Sequence, residues 1–413
     1  MQRRSPIAPL SRWARLVSVD LRSGVPPIFG LLSCLVAVGL GFAVAHPEQP
    51  QWADRFNLAL LVCAFTGPLA FAGAAAHNGT LHRQGLLDLA ATGGRGRYAF
   101  ARVGAIASLT YALLAVALST TVVLLHTVPP RPPLTASMLL LPTTAVLLTV
   151  LCSLGGSVAG ARHPSPLVPV VGAAVVFAWL YGGTLLPGAA NLVSPVDSGS
   201  SYQPFTEPKS ALYGGFALAL AGAAGLAWAL LHDQTRVVGA ITIGVAAAVV
   251  GTGVVLSGAG GVERVVVLPP PERSACATDR GLTTCVWPGM ADQLPTVLAA
   301  ATAATIELGP YLTVPDTFDQ EGLASRSGVA VFRLATLDTD LDTNKQRMID
   351  AVVPPCPSGA LDSPARDALL GWARSRLHTD FSAYDTAAAA VAALPLDEQR
   401  RWVAGRLDQT SRC

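Results

Sequence analysis

The sequence predicts an α-helical polytopic membrane domain of about seven transmembrane helices, N-terminus inside and C-terminus outside, followed by a small, mostly helical α+β extracytoplasmic domain. Three observations carry that expectation. Hydrophobic residues make up 51% of the 413 and charged residues only 13%, about half the charged share of a soluble domain, and the mean hydropathy is +0.48. The few charges are sparse up to about residue 260 and dense after Glu263. Seven long stretches also meet the ~20 apolar residues that a bilayer core requires.

Those stretches are 25–46, 57–76, 103–126, 134–161, 165–187, 211–231 and 237–259, each free of Asp, Glu, Lys and Arg. The strongest are 103–126 and 134–161. The fifth carries Pro166, Pro169 and Pro187 and is expected to be kinked or broken. No small-residue cleavage site follows the first run, so it reads as a retained helix rather than a signal peptide. The expected division is a cytoplasmic N-terminus over 1–24, a transmembrane domain over 25–261 and an extracytoplasmic domain over 262–413. Within the first part, Trp13, Leu16, Val17 and Leu21 share one helical face and Arg12, Arg15, Ser18 and Arg22 another. Residues 11–23 thus suit a helix lying in the membrane interface, or a plain basic anchor with no separate helix.

Positive charge sets the orientation. Arg3, Arg4, Arg12, Arg15, Arg22, Arg83, Arg95, Arg97, Arg102, Arg162 and Arg236 fall on one side of the alternating connections, against Arg55, Arg131 and Lys209 on the other. That asymmetry places the N-terminus in the cytoplasm of a bacterial plasma membrane, and an odd number of spans places everything after about residue 260 outside. The preference for Arg over Lys, with only Lys209 and Lys345 present, is a compositional mark of a high-GC, actinobacterial genome. A net charge of +2 gives no electrostatic footprint for nucleic acid.

Cysteine placement agrees with an outer C-terminal domain. Cys34, Cys63 and Cys152 fall within spans, whereas Cys276, Cys285, Cys356 and Cys413 fall after them. An even number in an oxidising compartment predicts a disulfide framework. Of three pairings, Cys276–Cys285 is favoured because it brackets the turn Asp279-Arg280-Gly281 between two β-like runs, leaving Cys356–Cys413. Free thiols on a cytoplasmic domain are the alternative, and would require a different number of spans.

The connection between the second and third spans is the only long cytoplasmic loop. It reads His82-Arg83-Gln84-Gly85-Leu86-Leu87-Asp88-Leu89, then small residues, Thr92, Gly93, Gly94, Arg95 and Arg97. A short amphipathic helix is expected from about Arg83 to Ala91, closed by Gly93-Gly94. Its exposed leucines need a partner surface. This pattern resembles the coupling loop of ATP-binding-cassette exporter permeases of the second export class. The resemblance extends over residues ~10–231: an amphipathic segment before the first span, and an extended outer segment, here 188–210, between the fifth and sixth. It implies that Arg83, Gly85, Leu86, Leu87, Asp88 and Leu89, with Arg95 and Arg97 beside them, face a groove in a separate ATPase subunit. A homodimer or heterodimer of permeases is the implied assembly. The chain departs from that family in having a seventh span, an outer domain, and Gly93 where a proline usually follows the threonine.

Other chemistries lack their residues. No Gly-x-x-x-x-Gly-Lys-[Ser/Thr] occurs, so the chain has no phosphate-cradling loop of its own. The spans hold no carboxylate for an ion-coupled relay, only His46, His77 and His126 near their ends. Gly155-Gly156-Ser157-Val158-Ala159 misses the nucleophile elbow at its last position. Asp338, Asp340, Asp342 and Asn344 begin like a calcium loop, but Thr343 and Ile349 stand where Gly and Glu are needed; helix capping explains these Asp residues better. Gly156-x-x-x-Gly160 and Ala221-x-x-x-Gly225 read as close-packing pairs. No enzyme activity, cofactor or metal is expected.

In the outer domain, strands are expected at Val265–Leu268, Thr283–Val286 and Val329–Leu334, and helices at 288–308, 343–352, 364–377 and 383–408. Leu294, Val297, Leu298, Ala301 and Ile306 should form one buried face, while Gln399, Arg400 and Arg401 should be solvated. Function is expected to be export driven by a separate ATPase, cargo undefined. The alternative is a non-transporting sensor or scaffold whose outer domain binds a ligand or partner.

Overall fold

The structure is a computed structural model that describes residues 25–44, 52–86, 99–126, 134–182, 194–196, 206–231, 244–252, 255, 264–271, 274–323, 328–334, 340–356, 363–379 and 386–412. The chain forms two units, Met1–Tyr202 with Glu207–Val266, and Gln203–Thr206 with Val267–Cys413.

The first unit is built from α1 (Val25–Val44), α2 (Trp52–Arg83), α3 (Ala99–His126), α4 (Leu140–Arg162), α5 (Val168–Leu180) and α6 (Ser210–Leu230), with residues 244–252 also helical. Among the described residues, five helices are long and apolar enough to cross a membrane: α1, α2, α3, α4 and α6. α5 is apolar but only 13 residues long, about 20 Å of helix and short of a bilayer core. Pro169 starts it, and it stops at Leu180, seven residues before the end of the expected stretch. The seventh stretch is described only at 244–252 and 255. Two short strands, β1 (Thr206–Pro208) and β2 (Val265–Val267), pair with each other.

Packing fixes the direction of each helix. Gly73 of α2 lies against Phe29 of α1, and Val62 clusters with Ala37, so these two run antiparallel. α3 runs with α1, Gly30 meeting Tyr111 and Gly41 meeting Val122. α4 runs with α2, through Gly67 on Cys152, Phe71 on Gly156 and Ala75 on Gly160. α5 opposes α2, since Leu180 lies by Gly67 and Gly172 by Phe71. The 244–252 segment opposes α6, pairing Gly244 with Gly222 and Gly251 with Gly215. Ala53, Met138, Leu180, Leu212 and Val255 consequently meet at one end, and Leu81, Phe100, Ala161 and Leu231 at the other. The bundle begins at Val25 and finishes, at Val255, on the opposite end.

Glycine makes the closest contacts. A Cβ on Gly156 would overlap the Phe71 carbonyl oxygen, and one on Gly160 the Ala75 carbonyl oxygen, so α2 and α4 pack backbone to backbone. Gly225 has open space where its Cβ would be. The second expected pair is thus displaced: α6 uses Gly215 and Gly222 against the 244–252 segment instead. Four buried hydroxyls satisfy themselves locally, Thr66, Thr144, Thr149 and Ser157 each donating to the carbonyl four residues back, as an apolar surround favours.

The second unit is α+β. Strands β3 (Ala275–Asp279), β4 (Leu282–Val286), β5 (Thr317–Gln320) and β6 (Ala330–Phe332) lie in that order in one sheet. β3 and β4 form an antiparallel hairpin with positive φ at Arg280 and Gly281, the geometry that matches strand twist in a two-residue loop. β4–β5 and β5–β6 are parallel, and the crossover from β4 to β5 carries a 3₁₀ turn, Pro288–Gln293, and α7 (Leu294–Leu308). The single helix expected over 288–308 is thus two pieces. Its buried face is Leu294, Val297, Ala300, Ala301, Ala304 and Leu308, with Ile306 54% exposed; β5 had no counterpart in the expected strands.

Helices α8 (Leu341–Val352), α9 (Pro364–Arg376), α10 (Thr386–Ala392) and α11 (Leu396–Ser411) complete this unit. The last two replace the single helix expected over 383–408, because Pro395 interrupts the run. The core joins Phe318 and Phe332 of the sheet to Val297, Met348, Trp372 and Val403. Gln399 corrects the expectation of a solvated residue: it is 3% exposed. Its Oε1 accepts from Trp372 Nε1 at 3.2 Å, and its Nε2 donates to the carbonyls of Ala392 and Leu394. Those carbonyls are freed where α10 stops, so one carboxamide satisfies a buried indole and a helix end together.

Candidate functional site

The apolar stretch of α2 fades after Ala76, yet the helix continues through Asn78 and Gly79 to Arg83. Gly85 takes φ +70°, the left-handed cap that ends many helices, and its N–H donates to the His82 carbonyl at 2.9 Å. The cap moves only the start of the helix expected from about Arg83 to Ala91: Gln84 and Gly85 form a turn, and Leu86 after it is again helical. Arg83 is the last residue of α2, Gly85 is the turn, and Leu86 lies just beyond it, partly exposed. Leu87, Asp88, Leu89, Arg95 and Arg97 lie outside the described residues.

The end of α2 is clasped to the end of α4. His82 Nδ1 is 2.7 Å from the Ala161 carbonyl oxygen; since a carbonyl only accepts, Nδ1 carries the proton. Arg83 Nη1 donates to the Pro164 carbonyl at 2.7 Å, and Nη2 donates to Thr80 Oγ1 at 3.1 Å. Thr80 in turn donates to the Ala76 carbonyl at 2.9 Å. Carbonyls at a helix C-terminus have no partner within the helix and carry partial negative charge, which suits an imidazole N–H and a guanidinium. On the far side of the loop, Phe100 and Ala101 of α3 pack with Leu81 and Ala161. Both described ends of the connection are therefore seated on the same side-chain cluster. Sequence pattern alone missed the clasp, because Arg83 read as the start of a new helix rather than the stop of an old one.

A second polar assembly occupies the opposite end of this unit. Arg264 is 4% exposed and donates through Nη2 to the Ser194 carbonyl at 3.0 Å. Ser194 Oγ donates to the Leu180 carbonyl at 2.7 Å, holding the end of α5. Ser137 Oγ donates to Glu207 at 2.6 Å. Arg55, expected in an outer connection, belongs instead to the first turn of α2 and is 2% exposed, its guanidinium 5.8 Å from the Trp52 ring. These are joints of the fold, with no arrangement of nucleophile and base. Among the described residues, no group of three or more His, Cys, Asp or Glu is placed to hold a metal.

Cys276 and Cys285 are register partners on β3 and β4 and form a disulfide. Cys356 is also disulfide-bonded and is 4% exposed; Cys413 lies outside the described residues. Cys34, Cys63 and Cys152 are free thiols, the last two buried. The interfacial segment 11–23 and most of the outer segment 188–210 likewise lie outside the described residues. Comparison with known proteins finds no matching family model, no matching curated protein and no matching solved structure.

Proposed function

We propose that this chain is the membrane-spanning permease subunit of an ATP-driven exporter, with a cytoplasmic N-terminus, seven membrane passes and an extracytoplasmic second unit. The clasp is the observation that carries the reading. The loop whose pattern resembles a coupling element is seated, through His82 and Arg83, on α4 as well as α2. Because α2 and α4 pack backbone to backbone and run parallel, a push on the loop moves both as one body. Support for the orientation comes from the bundle directions, since Arg83, Arg102 and Arg162 share the end where α1 begins. A separate ATPase is required, as the chain has no phosphate loop. The test is affinity purification from the native membrane. A phosphate-loop ATPase should co-purify with the wild type and be lost, by an order of magnitude or more, from the Leu86→Asp/Leu87→Asp variant. If no ATPase accompanies the wild type, the exporter reading is wrong. The rival, a non-transporting sensor or scaffold, draws on the second unit's having a core and disulfide of its own.

A further inference from the structure

A groove of 390 Å³ runs along the outer surface of the first unit between the last two turns of α4 and of α6. Val158 and Ala159 form one wall and Ala223 and Leu226 the other, while Arg162 and His163 stand at its mouth. The walls carry no charge over about 10 Å of helix, and both mouth side chains are exposed. Neither of those two side chains has a hydrogen-bond or ion-pair partner among the described residues. An apolar slot of this size takes a hydrocarbon chain, and a guanidinium at its open end selects a phosphate or carboxylate head.

We infer that this groove binds an acidic phospholipid of the leaflet next to the N-terminus, one acyl chain lying between α4 and α6 and the phosphodiester on Arg162 and His163. The inference rests on the membrane reading above, but does not depend on an ATPase. Three features favour a lipid over a soluble anion. The slot is apolar behind the charges. Trp228 on α6, 38% exposed, sits at the same level, where indoles mark the membrane interface. The cationic mouth also falls at the end expected to face the acidic cytoplasmic leaflet.

The test is native mass spectrometry of the full-length protein in micelles, titrated with phosphatidylglycerol, phosphatidylcholine or inorganic phosphate. Phosphatidylglycerol should bind about tenfold more tightly than phosphatidylcholine, and Arg162→Gln should remove that preference, the loss expected for one charge-assisted contact. Ala223→Phe, which fills the slot but keeps the charge, should weaken both lipids. Arg162→Gln alters an exposed side chain, so the test does not depend on Ala223→Phe folding. Equal retention of the two lipids, an unchanged preference in Arg162→Gln, or full competition by inorganic phosphate would overturn the proposal. Carbonate washing of the native membranes separates the two failures. A protein that stays in the membrane yet ignores lipid charge loses only this site, whereas one released by the wash loses the membrane reading with it.

Discussion

Asp340 stands just before α8, and its carboxylate accepts from the backbone N–H of Thr343 at 3.1 Å and of Asp342 at 3.3 Å. Those bonds, with Thr343 first, hold its pKa below the usual carboxylate value. A group depressed in this way contributes stability above its unfolded pKa and loses it as pH falls through the folded one. Asp340→Ala should cost about 1 kcal/mol at neutral pH, read as roughly fivefold faster hydrogen exchange across α8, and the wild type should approach the variant on acidification. Equal protection at neutral pH would show that the cap is idle. The capping role of Asp340 was legible in the sequence because an acidic residue before an amphipathic run has a local cause; Asp338, expected to share it, lies outside the described residues. Gln399 was not legible: nothing nearby in the chain announces that Trp372, 27 residues away, needs an acceptor.

At the scale of elements, two small-residue motifs that look alike diverge. Gly160 faces a backbone oxygen of α2, whereas Gly225 faces open space. Gly160→Ala should destabilise the detergent-solubilised protein by about 1–3 kcal/mol, and Gly225→Ala should be neutral or slightly stabilising, because alanine is the better helix former. Thermal unfolding of the two variants side by side checks this; equal effects would contradict the packing described. The apolar stretches located α1, α3, α4 and α6 because length and hydropathy act on each helix alone. They misplaced both ends of α2, since a helix stops where its backbone is capped and not where its hydropathy falls. The break at Pro395 and the 3₁₀ turn at Pro288 carried a visible proline signal that the apolar periodicity outweighed. Strand β5 is short and its residues Asp319 and Gln320 are polar yet buried. Only the parallel ladder between β4 and β6 makes it a strand, and no local pattern encodes that.

For the whole molecule, the two-part organisation follows from the uneven charge, and the unit boundary near Val266 falls within a few residues of the expected 261/262 division. The alternation of the helices carries the chain from one end of the bundle to the other. The central claim is that this bundle spans a membrane with its N-terminus inside and its second unit outside. Two exposed positions test it. Gly405 on α11 has open space at its Cβ, and His163 lies at the end of the bundle where α1 begins. Introduced singly into intact, non-reduced cells, Gly405→Cys should react with a membrane-impermeant maleimide, and His163→Cys should react only after lysis. The reverse pattern, or labelling of both positions in intact cells, contradicts the claim.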